Sequence, residues 1–64
     1  MLKDSYEFIQ VIAKKGHVTL EKYKNVLAPY DTIYCVKKNE RFINASHWLF
    51  TAFEHFKQET RNNA

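Results

Sequence analysis

Apolar positions recur along most of the chain at intervals of three and four residues, the repeat that gathers side chains on one face of an α-helix. In the first segment Phe8, Ile9 and Ile12 fall together, with Val11 at their edge. Asp4 followed three places later by Glu7 has the form of a capping box. Lys14-Lys15-Gly16 supplies cations for the negative helix end and a residue suited to a left-handed cap. This pattern predicts a helix over 5–15. A second is predicted from Thr19, an N-cap residue with Val18 and Tyr23 at the spacing of a hydrophobic staple, and its stripe is Leu20, Tyr23 and Leu27. It ends at Ala28, because Pro29 drives the preceding residue out of helical geometry and has no amide hydrogen to donate.

The longest regular pattern is the last, in which Phe42, Ala45, Leu49, Ala52, Phe53 and Phe56 predict a helix over 42–60, followed by a frayed Arg61-Asn62-Asn63-Ala64. Between Pro29 and Arg41 the signals conflict. Thr32-Ile33-Tyr34-Cys35-Val36 has the β-branched and aromatic content of a strand, yet no other run of that quality offers it a partner. A short helix capped by Asp31 or Thr32 and running to Lys38, with Ile33, Val36 and Lys37 on one side, is the preferred reading. The expected fold is therefore all-α, an N-terminal helical hairpin packed against a long C-terminal helix, with a short helix or extended segment between. The alternative is an α+β fold with an intermolecular strand pair. No linker, repeat or low-complexity tract divides residues 1–64, so one domain is expected.

A chain of 64 residues is near the size at which one core barely offsets conformational entropy. The single cysteine, Cys35, allows no internal disulfide, and no Cys/His cluster suggests structural zinc, so self-association as a homodimer is the expected extra support. The segment Met1–Ser5 lacks the apolar core of a secretory signal, and no apolar run approaches the length of a membrane span. With a free thiol, these features make the cytoplasm the expected compartment. Ten Lys/Arg against seven Asp/Glu leave a net charge of +3, dispersed without a basic block.

No Gly-rich phosphate loop, dinucleotide fingerprint or HExxH motif occurs, so neither catalysis nor a cofactor is expected. His47 and His55 would stand about 12 Å apart along a helix, too far for one metal ion, and His17 or Cys35 could join them only by tertiary coincidence. Cys35 is expected to act as a small buried hydrophobe, since nothing near it resembles an oxyanion turn or an orienting base. The first hairpin has about the length of a helix-turn-helix, with Lys22, Lys24 and Asn25 projecting. A DNA-binding reading would use these cations together with Lys14 and Lys15. On the last predicted helix Ile43 and Phe50 point away from the core stripe and Trp48 flanks it, which is more apolar surface than a small core uses. Ile43, Trp48 and Phe50 are thus expected to anchor a partner, with Arg41 and His47 at the rim.

The segment Lys38-Asn39-Glu40-Arg41-Phe42-Ile43-Asn44-Ala45-Ser46-His47-Trp48-Leu49-Phe50-Thr51-Ala52 resembles the AraC negative regulator family of small bacterial proteins. Phe42, Ala45 and Ala52 stand at the family's spacing, while Trp48 comes one position before the family's Trp and Glu40 takes the place of its turn Gly. The resemblance implies a mainly helical protein that restrains AraC-type transcription activators of virulence genes by direct contact, blocking their dimerisation or DNA binding, with the nucleoid protein H-NS as a further partner. Negative transcriptional regulation is accordingly the expected function. The alternatives are a helix-turn-helix-like DNA-binding protein and a phage or plasmid inhibitor of another host protein.

Overall fold

The computed structural model describes residues 5–62. Four strands are followed by one helix: β1 (Tyr6–Lys15), β2 (Val18–Asn25), β3 (Ala28–Lys38), β4 (Arg41–Ser46) and α1 (Leu49–Asn62). The strands pair antiparallel in chain order, β1-β2-β3-β4, so the sheet is a simple meander. This overturns the all-α expectation. The predicted helices over 5–15 and 19–28 are the strands of a hairpin, and the short helix expected to run to Lys38 is the central strand β3. The alternative of an intermolecular strand pair is corrected as well, because β3 finds both its neighbours, β2 and β4, within its own chain. The C-terminal helix is present but begins at Leu49, leaving Phe42 and Ala45 on β4. Arg61 and Asn62 belong to the helix instead of fraying from it. Asp4, Asn63 and Ala64 lie outside the described residues.

Each reversal has a local cause. Lys15 pairs with Val18 across Gly16-His17, and Gly16 has φ 61°, a conformation that costs a residue without a Cβ nothing. Gly16 is thus a hairpin residue, not a helix cap. At the second reversal the Asn25 side-chain oxygen accepts the Leu27 amide hydrogen at 2.9 Å, a local bond of the kind that bends a chain. Leu27, expected in a core stripe, is exposed at this tip. Pro29 falls where pairing jumps from Asn25–Ala28 to Lys24–Thr32, in an irregular stretch that does not need its missing N–H. The third reversal places Asn39 and Glu40 at φ 54° and 69°, the sign pattern of a type I′ turn.

The strand-to-helix passage is also closed locally. Trp48 N–H donates to Ser46 Oγ at 3.1 Å, and Ala52 N–H donates to the Trp48 carbonyl at 3.1 Å, which starts α1. The helix lies on one face of the sheet, over β2, β3 and β4. There Val18, Leu20 and Val36 meet Ala52 and Phe56, with Ile12, Ala13 and Tyr34 partly buried around them. The opposite face carries Thr19, Glu21 and Tyr23 of β2 and Ile33, Cys35 and Lys37 of β3, the alternate residues of the same strands.

Two substitutions test this account by urea denaturation. Leu20→Ala removes a side chain with no exposed surface and should cost about 3 kcal/mol. Glu40→Gly relieves a left-handed residue with a Cβ and should stabilise by about 1 kcal/mol. The ion pair it removes, Glu40 with Lys37, is too exposed on the Glu side to matter much.

Candidate functional site

An apolar groove of about 410 Å³ opens between β1 and the first half of α1, lined by Ile12, Leu49, Phe50 and Phe53. Ile12 reaches it because of a bulge: Val11 opposes Glu21 and Ala13 opposes Leu20, so Ile12 is the extra residue and the strand bends there. The helical wall follows from phase. Ala52 and Phe56 face the core, and Phe50, about 200° from Ala52, cannot join them. Phe50 is 76% exposed, and Trp48, just before the helix, is 70% exposed. Leu49 and Phe53, assigned by the sequence pattern to the core stripe, are each about half exposed on the groove wall.

The expected partner residues do not form one patch. Phe50 lines the groove, and Trp48 immediately precedes α1. Arg41 and Ile43 line a separate depression of about 350 Å³ with Lys38, Asn39 and Phe42 near the start of β4. Ile43 is a bulged residue, since Phe42 opposes Lys37 and Asn44 opposes Val36. His47 lies between these groups in the β4–α1 connection, its ring edge-to-face with Trp48 and its Nε2 3.3 Å from Asp31 Oδ1. Ile12, Leu49 and Phe53 went unrecognised as groove residues. Helical spacing had placed all three indoors.

The sheet face away from α1 carries a row of aromatic rings. Phe8 and Phe42 each stand 5.8 Å from Tyr23 in edge-to-face geometry, and the Lys37 ammonium lies 5.3 Å from the centre of Phe42. Beneath them Glu21 is buried, accepting hydrogen bonds from Tyr23 Oη at 2.8 Å and Thr19 Oγ1 at 3.2 Å, with Lys37 Nζ 3.6 Å away. Burial, reinforced by the Glu21 carboxylate, drives the Tyr23 hydroxyl pKa well above its ordinary range. The Cys35 thiol is fully buried, and burial with a smaller push from Glu21 raises its pKa to about 11. It therefore stays protonated near neutral pH, the wrong state for a nucleophile.

Asp31 is a hub. Its carboxylate accepts Tyr6 Oη at 2.9 Å and Asn25 Nδ2 at 3.3 Å, and it faces His47, so β1, β2, β3 and the β4–α1 connection meet at one side chain. The Tyr6 hydrogen bond is the main reason that its pKa lies below the ordinary carboxylate value, and the same bond raises the Tyr6 hydroxyl. Among the described residues no group of three His, Cys, Asp or Glu side chains could hold a metal ion.

The lysines of the DNA-binding reading divide between the two faces of the sheet. Lys14 opposes Thr19 and points to the open face, whereas Lys15, Lys22 and Lys24 share parity with Val18 and Leu20, on the helix side. Lys24 is also drawn to Glu7, at 4.0 Å. A helix-turn-helix is excluded because its two helices are strands. No helix among the described residues is long and apolar enough to cross a membrane. No protein-family model, curated protein or solved structure matches the chain.

The Asp31 hub has a pH signature. A carboxylate whose folded pKa is depressed adds stability above its unfolded pKa, and that stability is lost as pH falls through the folded value. Asp31→Asn should therefore melt below the wild type at pH 7. The gap between the two melting temperatures should shrink as pH drops below the ordinary carboxylate pKa of about 3.9. A gap that is constant from neutral to acid would show that the charge on Asp31 does not matter.

Proposed function

We propose that this chain is a binding protein that acts by covering a surface of another protein with the groove between β1 and α1. The observation that carries this reading is the apolar wall of that groove, on which Phe50 stands largely in water, with exposed Trp48 just before the helix. Scattered exposed apolar residues are ordinary, but a contiguous patch with aromatic anchors at a concave site is the anatomy of an interface. Both edge strands contain bulges, at Ile9 and Ile12 in β1 and at Ile43 in β4, which blunts recruitment of a partner by sheet extension and leaves side-chain docking as the better route.

The resemblance of residues 38–52 suggests an AraC-type transcription activator as the target, held by direct contact so that it fails to dimerise or to bind DNA. The residues that carry that resemblance lie on two elements, Phe42 and Ala45 on β4 and Ala52 on α1. The surface offered to an activator is in this reading Trp48 and Phe50, with Leu49 and Phe53. A homodimer remains part of the proposal. The area available for it is the open sheet face, where Phe8, Val11 and Phe42 stay about half exposed.

Phe50→Ala tests the groove. It should leave the thermal melt within about 0.5 kcal/mol of wild type yet weaken capture of an AraC-type activator by about 2 kcal/mol and relieve repression of an activator-driven reporter. Phe56→Ala, which opens the core, should instead cost about 3 to 5 kcal/mol of stability. Normal repression by a normally folded Phe50→Ala variant would remove the groove from the function.

A further inference from the structure

The register gathers cations at one end of the sheet. Lys15 opposes Val18, Val18 opposes Lys38 and Lys38 opposes Arg41, so the outermost rung carries a cation on three of its four strands. The next rung is Lys14, Thr19, Lys37 and Phe42, which adds two cations and a half-exposed aromatic ring. Five of the chain's ten Lys and Arg thus stand on two rungs, at the end where Gly16-His17 and Asn39-Glu40 turn the chain. The Asn39 N–H donates to the His17 carbonyl at 3.0 Å and ties one turn to the other. Of the carboxylates at this end, Glu21 and Glu40 meet Lys37 and Glu59 meets Lys38. Lys14, Lys15 and Arg41 are exposed and form no ion pair with another described residue.

Charge and ring meet in the depression at the start of β4. Its lining is Lys38, Asn39, Arg41, Phe42 and Ile43, without a carboxylate. A ligand seated there touches the Arg41 guanidinium and the Phe42 ring together. Phe42 is also the first of three rings that cross the open face in steps of 5.8 Å, through Tyr23 to Phe8. Lys14 borders a hollow of about 380 Å³ between the two turns, and the carboxylates that reach it, Glu21 and Glu40, are those already turned to Lys37. Strands lie about 4.8 Å apart, so the cations from β1 to β4 span about 14 Å, a length that a few nucleotides cover.

We propose that this end of the sheet binds single-stranded nucleic acid, its phosphates meeting Arg41, Lys14 and Lys15 and one base seated on Phe42. The depression shares no lining residue with the groove between β1 and α1, so either surface can fail alone. Duplex DNA would satisfy the cations, but its bases are stacked inside and leave Phe42 without a partner. An acidic protein segment would supply carboxylates alone. A polynucleotide carries a phosphate and a ring in every unit, the pairing that Arg41 and Phe42 present side by side. A second copy docked through this end would set the cations against their like.

The test follows the anisotropy of a fluorescein-labelled single strand of about 12 nucleotides with the full chain, as salt rises from about 50 to about 200 mM. Three phosphate contacts should give a slope of log affinity against log salt of about −2, since each contributes about −0.7 on a single strand. Lys14→Ala and Arg41→Ala should each flatten that slope by about 0.7. Phe42→Leu, which keeps an apolar side chain but removes the ring, should weaken binding by about tenfold and leave the slope alone. All three variants should melt as the wild type does, and the exposed Lys14 and Arg41 keep the test decisive should Phe42→Leu melt early. Lys22→Ala, which removes a cation midway along β2, and Phe50→Ala, in the groove, should bind as the wild type does. No binding at about 50 mM salt, or a slope untouched by both Lys14→Ala and Arg41→Ala, would overturn the proposal. Equal or tighter binding of the same sequence as a duplex would overturn it in favour of backbone attraction without a base site. Displacement of the strand by a polyglutamate peptide of equal charge at equal concentration would overturn it in favour of an acidic protein. A dimer that Phe42→Leu dissociates, with no oligonucleotide bound, would do so in favour of a second copy.

Discussion

A helix is about 10 Å across and strands lie about 4.8 Å apart, so one helix covers roughly three strands on one face of a sheet. The described residues form four strands and the helix α1, and most of their structure follows from that mismatch. α1 lies over β2, β3 and β4, and the buried residues Val18, Leu20, Val36, Ala52 and Phe56 are the overlap. β1 is left at the side of the helix, and Ile12 turns back towards it across an open groove. Among the described residues no element forms a second layer on the opposite face.

That second face is covered by its own side chains. Tyr23 leans over Glu21 and touches both Phe8 and Phe42, so the rings shelter Cys35 and Ile33 without a helix above them. Glu21 is tolerable there because two hydroxyls and Lys37 address its carboxylate, as a buried charge requires. At the far end Asp31 serves the same purpose, collecting Tyr6, Asn25 and His47. The polar hubs thus hold a face that hydrophobic burial alone would leave loose. They engage two of the chain's seven carboxylates.

The bulges explain what could be read from the sequence and what could not. In a regular strand one face recurs every two residues, but Ile9 and Ile12 each add a place. The open face of β1 therefore reads Tyr6, Phe8, Val11, Lys14, close to helical spacing. The extra residue Ile43 likewise puts Phe42 and Ala45 three apart on one face, and this repeat ran unbroken into the true helix at Leu49. β3, free of such insertions from Thr32 to Val36, kept its strand character in plain view. It was discounted only because its neighbours were disguised. Within α1 the inward phase of Ala52 and Phe56 and the outward phase of Phe50 were legible, since a regular helix obeys its period. The Ile12 wall of the groove was not, because it depends on a bulge and on how far one helix extends over four strands.

The order of the strands bears on how the chain reaches this state. Every strand pairs only with the strand next to it along the chain, so the meander can zip through successive hairpins with little loop entropy to overcome at any step. The inner core is different, because Leu20 and Val36 find their cover only when Ala52 and Phe56 arrive from α1, the element made after all four strands. A chain still emerging from the ribosome would therefore hold a half-dressed sheet, its interior face wet, until synthesis passes α1. Docking of the helix is then the step that turns a fluctuating set of hairpins into a cooperative fold, and it creates the groove in the same event.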